Sequence, residues 1–423
     1  MPYDHSVVLF FRFASNQAVA LIPGQNPGPP DNWIFRSPKF PVDLDHDVSF
    51  VTKTGYGTQF RVPAQLEALG FEADDSAQAS VLVIADFATR IRHDGKDIQV
   101  HDVIASMAQS GGLGSLARAS KLEKYANMSA AIRSGNRERA ISLSKEVGWE
   151  LDALKFIPGL ELAHRKMPGR KWYVMLDDDT YILKPNLRAM LGQLDPSKPL
   201  YLGNPVGDFK GRFAHGGSSI VLSGAVMRLL FDDNAPLVSE AYARSVEETW
   251  GDKLVATTLM KIGVYLDERH GRFFNGERPR IARIAADRFC SPIVAFHGLA
   301  DTRQMTETMD FFSAIQQPLV WSELWNVYDQ TNFNLLESEP IMQGEDHVGR
   351  TDESSTTVLG VNAAVKCADL CEQRHDACLA WTWDKATESC HMSPWMIVGE
   401  EKTGFASGLN VALVMRLLSQ CSQ

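Results

Sequence analysis

KWYVMLDDDTYILKPNLRAMLGQL, residues 171–194, decides how this chain is read. Trp172 to Leu176 form a short apolar run suited to a buried strand. Leu187, Met190, Leu191 and Leu194 recur at helical spacing, so a helix follows. Asp177, Asp178 and Asp179 therefore sit in a loop at the carboxyl end of a strand, where open α/β sheets place their ligands. Three consecutive carboxylates repel one another, and an ordinary fold gains little from crowding them at a strand end. A divalent cation offsets that repulsion, and oxygen ligands suit Mg²⁺ or Mn²⁺. The plain alternative is a solvated turn or a helix cap.

Working outward, VSFVTKT (48–54) and SVLVIADF (80–87) read as short strands, with AQLEAL (64–69) as a helical turn or two between them. The segment from about 110 to 168 is mostly helical in composition, and Pro158-Gly159 is expected to end or kink a helix. Downstream, SSIVLS (218–223) is a strand candidate, with Ser223 placed to cap the helix GAVMRLL. A further helix is expected from Asp252, with Leu254, Val255, Thr258, Leu259 and Ile262 on one face. SPIVAFH (291–297) is another apolar run ending in a polar residue.

Several residues pair with the aspartates as candidates. His297 is either a structural histidine or, with the carboxylates 118 residues upstream, a metal ligand from a second element; an imidazole tilts the choice of ion toward Mn²⁺. Asp252 either caps its helix or accepts a proton from an attacking hydroxyl beside a cleft. Gly216 and Gly217, after His215, either make a turn or let the backbone approach a sugar closely.

The 423 residues and 44% hydrophobic content exceed what one compact core accommodates, so two domains are expected. With 42 Lys and Arg against 52 Asp and Glu, the net charge is -10 and no basic tract occurs, which argues against a nucleic-acid partner. SVVLFFRF (6–13) is too short to span a bilayer and lacks the layout of a secretory signal, and the apolar part of FASGLNVALVMRLLSQCSQ is too short as well. No membrane span is expected in this chain. The order Asp-x-Asp-x-Thr or Val of haloacid dehalogenase-type phosphatases fails at Tyr181, and GxxxxGK[ST], HExxH and GxSxG are absent.

Cys290 stands alone in the long first part, while Cys367, Cys371, Cys378, Cys390 and Cys421 fall near the C-terminus. Four closely spaced cysteines suggest a disulfide staple or a zinc site; only one tight pair exists, which favours disulfides. Disulfides imply an oxidising compartment, and Asn127-Met128-Ser129 is a lone glycosylation sequon that agrees. In LAWTW, Trp381 and Trp383 share one strand face, as core or as a binding surface.

With these residues in view, the chain resembles the family 31 glycosyltransferases, which include Fringe-like and core 1 galactosyltransferase-like enzymes, and in particular their fungal members. The matching stretches are WYVMLDDDTYI (172–182), LDPSKPLYLGNP (194–205), HGGSSIVLSGAVMRLL (215–230), GDKLVATTLMKIGV (251–264) and VAFHGLADTRQM (294–305), with a looser match in KTGYGTQFRVPAQLEAL (53–69). The resemblance implies a GT-A fold, a Rossmann-like mixed sheet flanked by helices, binding Mn²⁺ and a UDP-sugar. Asp177 would face the donor's ribose and metal region beside Asp178, Asp179 would ligate the metal, and His297 would complete the site. Gly216 and Gly217 would lie against the donor, and Asp252 matches the acidic residue proposed as general base. Relatives often have Glu-Asp where this chain has Gly251-Asp252, and GGAGY or GGPGY where it has GGSSI. The implied reaction is a single displacement with inversion, from a UDP-sugar to a glycan or glycoprotein, commonly at a 3-hydroxyl. A catalytically inactive carbohydrate-binding or adhesion protein is the alternative. Relatives are usually anchored in the Golgi, so a secretory-pathway, Golgi-lumenal or secreted location is implied.

CADLCEQRHDACLAWTWDKATESCHM resembles the PAN/apple domain. That resemblance implies a helix stapled to a small sheet by Cys367–Cys390 and Cys371–Cys378, with a protein or carbohydrate contact as its role. The expected architecture is α/β: an N-terminal extension over 1–45, a GT-A domain over 46–325, a linker over 326–358 rich in Glu, Asp, Ser, Thr and Gly, and a small disulfide-braced α+β apple-like domain over 359–423.

Overall fold

The structure, a computed structural model, describes residues 32–71, 80–93, 95–109, 119–208, 211–328, 330, 333, 336 and 338–421. The run SVVLFFRF and most of the 1–45 extension lie outside the described residues.

Val48–Lys53 is buried along its whole length, as befits a strand covered on both faces. It pairs in parallel with Val81–Ala85 on one side and Trp172–Asp177 on the other. The full order of the seven-stranded sheet is Thr89–His93, Lys96–Asp102, Val81–Ala85, Val48–Lys53, Trp172–Asp177, Ile220–Ser223 and Tyr201–Gly203. Lys96–Asp102 continues the parallel centre, whereas Thr89–His93, Ile220–Ser223 and Tyr201–Gly203 pair antiparallel. The sheet is therefore mixed.

Side chains alternate across a strand, and this splits Trp172–Asp177 between two cores. Tyr173 and Met175 pack with Ile157, Leu160, Met227 and Leu254 from the helices on one face. Trp172, Val174 and Leu176 pack with Leu66, Leu187 and Met190 on the other. Each such aliphatic side chain, fully buried, contributes about 1.5–3 kcal/mol.

Pro158-Gly159 does not end a helix. Pro158 lies inside the first turn of Phe156–Lys166, where backbone N–H groups have no helical partner and proline is tolerated, and the Gly159 N–H already bonds to the Lys155 carbonyl. Gly159 is there for contact: a Cβ would sit 2.1 Å from Ile84 Cδ1 of the sheet beneath.

The second unit is a five-stranded antiparallel sheet, Met342–Asp346, Glu400–Leu409, Ala380–Asp384, Ser389–Ser393 and Thr356–Leu359, with the helix Ala364–Glu372 against it. Cys367–Cys390 ties that helix to the sheet and Cys371–Cys378 ties it to the chain just before Ala380–Asp384, the two pairs the apple resemblance implied. Trp381 is core, while Trp383 is half-buried and donates its indole N–H to the Val361 carbonyl. Two stretches read as linker are strands of this sheet, Met342–Asp346 and Thr356–Leu359. Their polar residues misled although both are outer strands of the sheet: Thr356–Leu359 alternates between half-buried and exposed residues, and Met342–Asp346 buries Met342 and Asp346 at its two ends.

The two units are joined at three places. Ile284–Ala285 pairs with Trp395–Met396, and one apolar core combines Phe289, Trp321 and Trp325 with Leu379, Met396 and Val414. Cys290 is not alone: it is bonded to Cys421 on the C-terminal helix Val411–Cys421. That helix buries Leu413, Val414 and Leu417, which accounts for its apolar sequence. Among the described residues, no helix is long and apolar enough to cross a membrane.

Candidate active site

The aspartate loop is built at the end of two parallel strands. Lys53 closes one and Asp177 the other, and they stand opposite each other in register. Lys53 Nζ lies 2.7 Å from Asp177 Oδ1 and 2.7 Å from Asp152 Oδ1. Burial works against the Lys53 charge, but the Asp152 and Asp177 carboxylates more than offset it and hold the ammonium well above its ordinary range. Lys155 extends the chain of charges, 3.0 Å from Asp152, with Asp86 3.8 Å away at the end of the next strand. Asp86 receives the Tyr56 N–H on Oδ1 and leaves Oδ2 buried without a hydrogen bond.

The three aspartates divide their work. Asp178 is turned onto the protein, accepting from Thr54 Oγ1 at 2.5 Å and Arg61 Nη1 at 3.1 Å, and burial pushes its pKa up to about 6. Gln65, itself buried, donates to the carbonyls of Asp177 and Thr180 and so fixes the loop backbone. Asp177 Oδ1 and Asp179 Oδ1 are buried atoms with no well-directed hydrogen bond, although Lys53 and His297 nitrogens lie close to them.

His297 arrives from the far side of the fold. Tyr181–Ile182 and Ala295–Phe296 form a two-strand ladder, and the next residue on that ladder is His297. Its Nε2 lies 3.2 Å from Asp179 Oδ1, and its Nδ1 faces the Gly276 carbonyl at 3.3 Å. Burial disfavours the imidazolium, but Asp179 outweighs this and raises its pKa; burial likewise opposes the Asp179 charge, and His297 holds its pKa below the usual carboxylate range.

A divalent ion fits this donor set. One ligand atom each from Asp177, Asp179 and His297 lie within 4.8 Å of one another. Two are carboxylate oxygens lacking good hydrogen bonds. The third is an imidazole nitrogen whose opposite ring nitrogen is oriented by a backbone carbonyl, the arrangement by which proteins aim a histidine at a metal.

The glycines make room. A Cβ on Gly217 would stand 2.2 Å from His297 Nε2, so only glycine lets the imidazole reach Asp179. Gly216 donates its N–H to Asp252 Oδ2 at 2.9 Å. Gly251, where relatives carry an acid, is forced by packing: a Cβ would lie 2.2 Å from the Phe156 ring. In the GGSSI block, Ser219 holds φ 76°, a left-handed value suited to the glycine of GGAGY. Its hydroxyl is buried without a partner.

The helix Gly251–Met260 begins one residue before Asp252, and Trp250 stands at the cap position without a capping bond. Asp252 accepts from Lys253 N–H with one oxygen and from Gly216 N–H with the other. Burial raises its pKa to about 6, partly offset by those two donors.

Asp177, Asp178, Asp179, Gly216, Gly217, Asp252 and His297 all line one cleft of about 390 Å³. The fold thus brings together all the residues singled out in the sequence. The same cleft holds Lys53, Asp86, Asp152, Lys155, Trp149 and Trp250, which the sequence reading passed over. Lys53 and Asp86 carried a signal: like Asp177, each ends an apolar strand with a charge. Asp152 carried none, being one acid among several on a helix.

Residues 152–319 match the Fringe-like family model, and residues 341–401 match the PAN domain model. All five blocks quoted above fall within the first match, and Cys367, Cys371, Cys378 and Cys390 within the second. This chain therefore contains a Fringe-like domain, bearing a candidate Asp–Asp–His metal centre, followed by a C-terminal PAN domain.

Proposed function

We propose that the chain is an inverting glycosyltransferase of GT-A type that moves a hexose or N-acetylhexosamine from a UDP-sugar to a hydroxyl of a glycan or glycoprotein, forming a β-1,3 linkage. The observation that carries this reading is that Asp252, a carboxylate tuned to about 6, opens onto the same cleft as Asp177, Asp179 and His297. Those three would hold Mn²⁺, and a bound divalent ion supplies charge neutralisation for the departing diphosphate.

Asp252 is ionised at neutral pH and accepts the proton of the acceptor hydroxyl as that oxygen attacks the sugar. Its two backbone donors keep the carboxylate oriented. Arg61 and Thr54 engage the Asp178 carboxylate, which would leave Asp177 and Asp179 to the ion, and Lys53 pairs with Asp177. No protein nucleophile takes part, so a UDP-α-sugar gives a β-linked product. The three disulfides support a location in an oxidising compartment, a secretory lumen or the cell exterior. There the PAN domain would contact protein or carbohydrate.

UDP release from UDP-Gal, UDP-GlcNAc and UDP-Glc, with and without Mn²⁺, tests the reading. Mn²⁺-dependent release from one donor is expected. If the chain bound none of the three and released no UDP, the carbohydrate-binding alternative would stand instead.

A further inference from the structure

Trp149 and Trp250 are the most exposed tryptophans among the described residues, at 61% and 49%. Five others, Trp172, Trp321, Trp325, Trp381 and Trp395, are almost wholly buried. Large indoles gain from burial and are seldom left in water without a use. These two come from separate elements, Trp149 from the helix Arg137–Asp152 and Trp250 from the residue ahead of Gly251–Met260, yet they meet. Their ring centroids are 5.4 Å apart with planes at 88°, so together they form a right-angled corner. Neither indole N–H donates to a described residue.

The corner is attached to the cleft, and both tryptophans line it. Asp152, three residues after Trp149, is anchored by Lys53 and Lys155. The backbone after Trp250 is pressed against Phe156 at Gly251, where no side chain fits. Trp250 is two residues from Asp252, the group that receives the acceptor's proton, whereas the diphosphate belongs at Asp177, Asp179 and His297. A diphosphate has no use for uncharged indoles, while a pyranose ring offers a C–H face that stacks on an aromatic plane and hydroxyls for a free indole N–H. Gly148 and Ser144 beside them leave space and one hydroxyl.

We propose that Trp149 and Trp250 form the acceptor subsite, a corner that seats the pyranose ring whose hydroxyl is presented to Asp252. This rests on the transferase reading above. Trp149 lies outside the matched Fringe-like segment, so half of the corner belongs to sequence beyond that match.

The test uses the full chain with Mn²⁺, the UDP-sugar that supports release, and methyl pyranosides of the common hexoses and N-acetylhexosamines. Sorbitol serves as an acyclic control with hydroxyls but no ring face. Tryptophan fluorescence should change saturably with at least one pyranoside and not with sorbitol, and the change should vanish in Trp149→Ala/Trp250→Ala. For a productive acceptor, each single alanine variant should raise acceptor KM about ten-fold, and Trp→Phe should recover part of it. UDP-sugar KM should move less than about two-fold, since Asp177, Asp179 and His297 would hold the diphosphate and remain unchanged. Unchanged acceptor KM in both variants, whether or not Tm falls, overturns the subsite and leaves the transferase reading standing. No UDP release from any donor overturns the transferase reading itself; absence of saturable pyranoside binding overturns the subsite in either case.

Discussion

His297 Nε2 lies 3.2 Å from Asp179 Oδ1 across 118 residues of chain, and the contact depends on a ladder of only two residue pairs, Tyr181 with Phe296 and Ile182 with Ala295. Everything proposed about this cleft depends on that meeting. One of the three candidate ligands, Asp177, ends the strand Trp172–Asp177, Asp179 lies in the turn that follows it, and His297 is delivered by a separate segment. The clearance at Gly217 is what allows its approach.

That clearance gives the first prediction. Gly217→Ala places a Cβ where the imidazole now sits and should weaken Mn²⁺ binding by about ten-fold or more, as should His297→Ala, with Mn²⁺ affinity read by calorimetry. Asp179→Asn should likewise abolish metal-dependent turnover while far-UV circular dichroism stays native. Wild-type Mn²⁺ affinity in Gly217→Ala would mean that His297 is not a ligand.

Asp252→Asn keeps an oxygen for the Gly216 N–H but cannot take a proton from a hydroxyl. Turnover should fall about 10²–10⁴-fold, with UDP and Mn²⁺ affinities retained. Loss of UDP binding instead would make Asp252 a structural brace.

The pH dependence follows from the same carboxyl. Burial raises its pKa from 3.8 to about 6, so the protonated form predominates below that value and cannot act as base; kcat/KM should rise as pH passes through about 6 and then level. For stability the sign is opposite. A raised folded-state pKa favours folding fully below the unfolded value, and that contribution is lost as pH rises through the folded one. Asp252→Asn should therefore gain Tm relative to wild type between pH 4 and 7. A constant difference across that range would refute the buried carboxylate's role in stability.

Much of this was legible. The strand, loop and helix of residues 171–194 follow from periodicity, and the candidate metal cluster from carboxylate crowding plus one histidine after an apolar run. What could not be read is three-dimensional. Gly251 looked like a departure until Phe156 was seen above it. Cys290 looked isolated because its partner is 131 residues away. Met342–Asp346 looked like linker because its residues are mostly polar, although Asp346 is buried and accepts from Thr382 and the Gly349 N–H. Asp152 and Trp149 carry no local pattern at all, since their meaning lies in what faces them.

Ser219 combines left-handed φ with a buried, unpartnered hydroxyl. Relief of strain worth about 1–3 kcal/mol outweighs the added unfolded-state entropy of glycine, so Ser219→Gly should stabilise by roughly 1 kcal/mol. Chemical denaturation measures it, and a loss of stability would mean that the serine conformation carries no strain.

The Cys290–Cys421 bridge fixes the C-terminal helix to the Fringe-like domain. Replacing both by serine should lower stability by about 2–5 kcal/mol. Limited proteolysis should then cut first near the helix Val411–Cys421. Unchanged Tm and cleavage would show that the apolar contacts of Leu413, Val414 and Leu417 suffice alone.

The most direct measurement is anomalous diffraction at the manganese edge from crystals grown with Mn²⁺ and UDP. A single strong peak is expected about 2.2 Å from His297 Nε2 and from carboxylate oxygens of Asp177 and Asp179, with the diphosphate on its open side. A fully occupied UDP site with no peak between these three side chains, or with manganese bound elsewhere, would contradict the account.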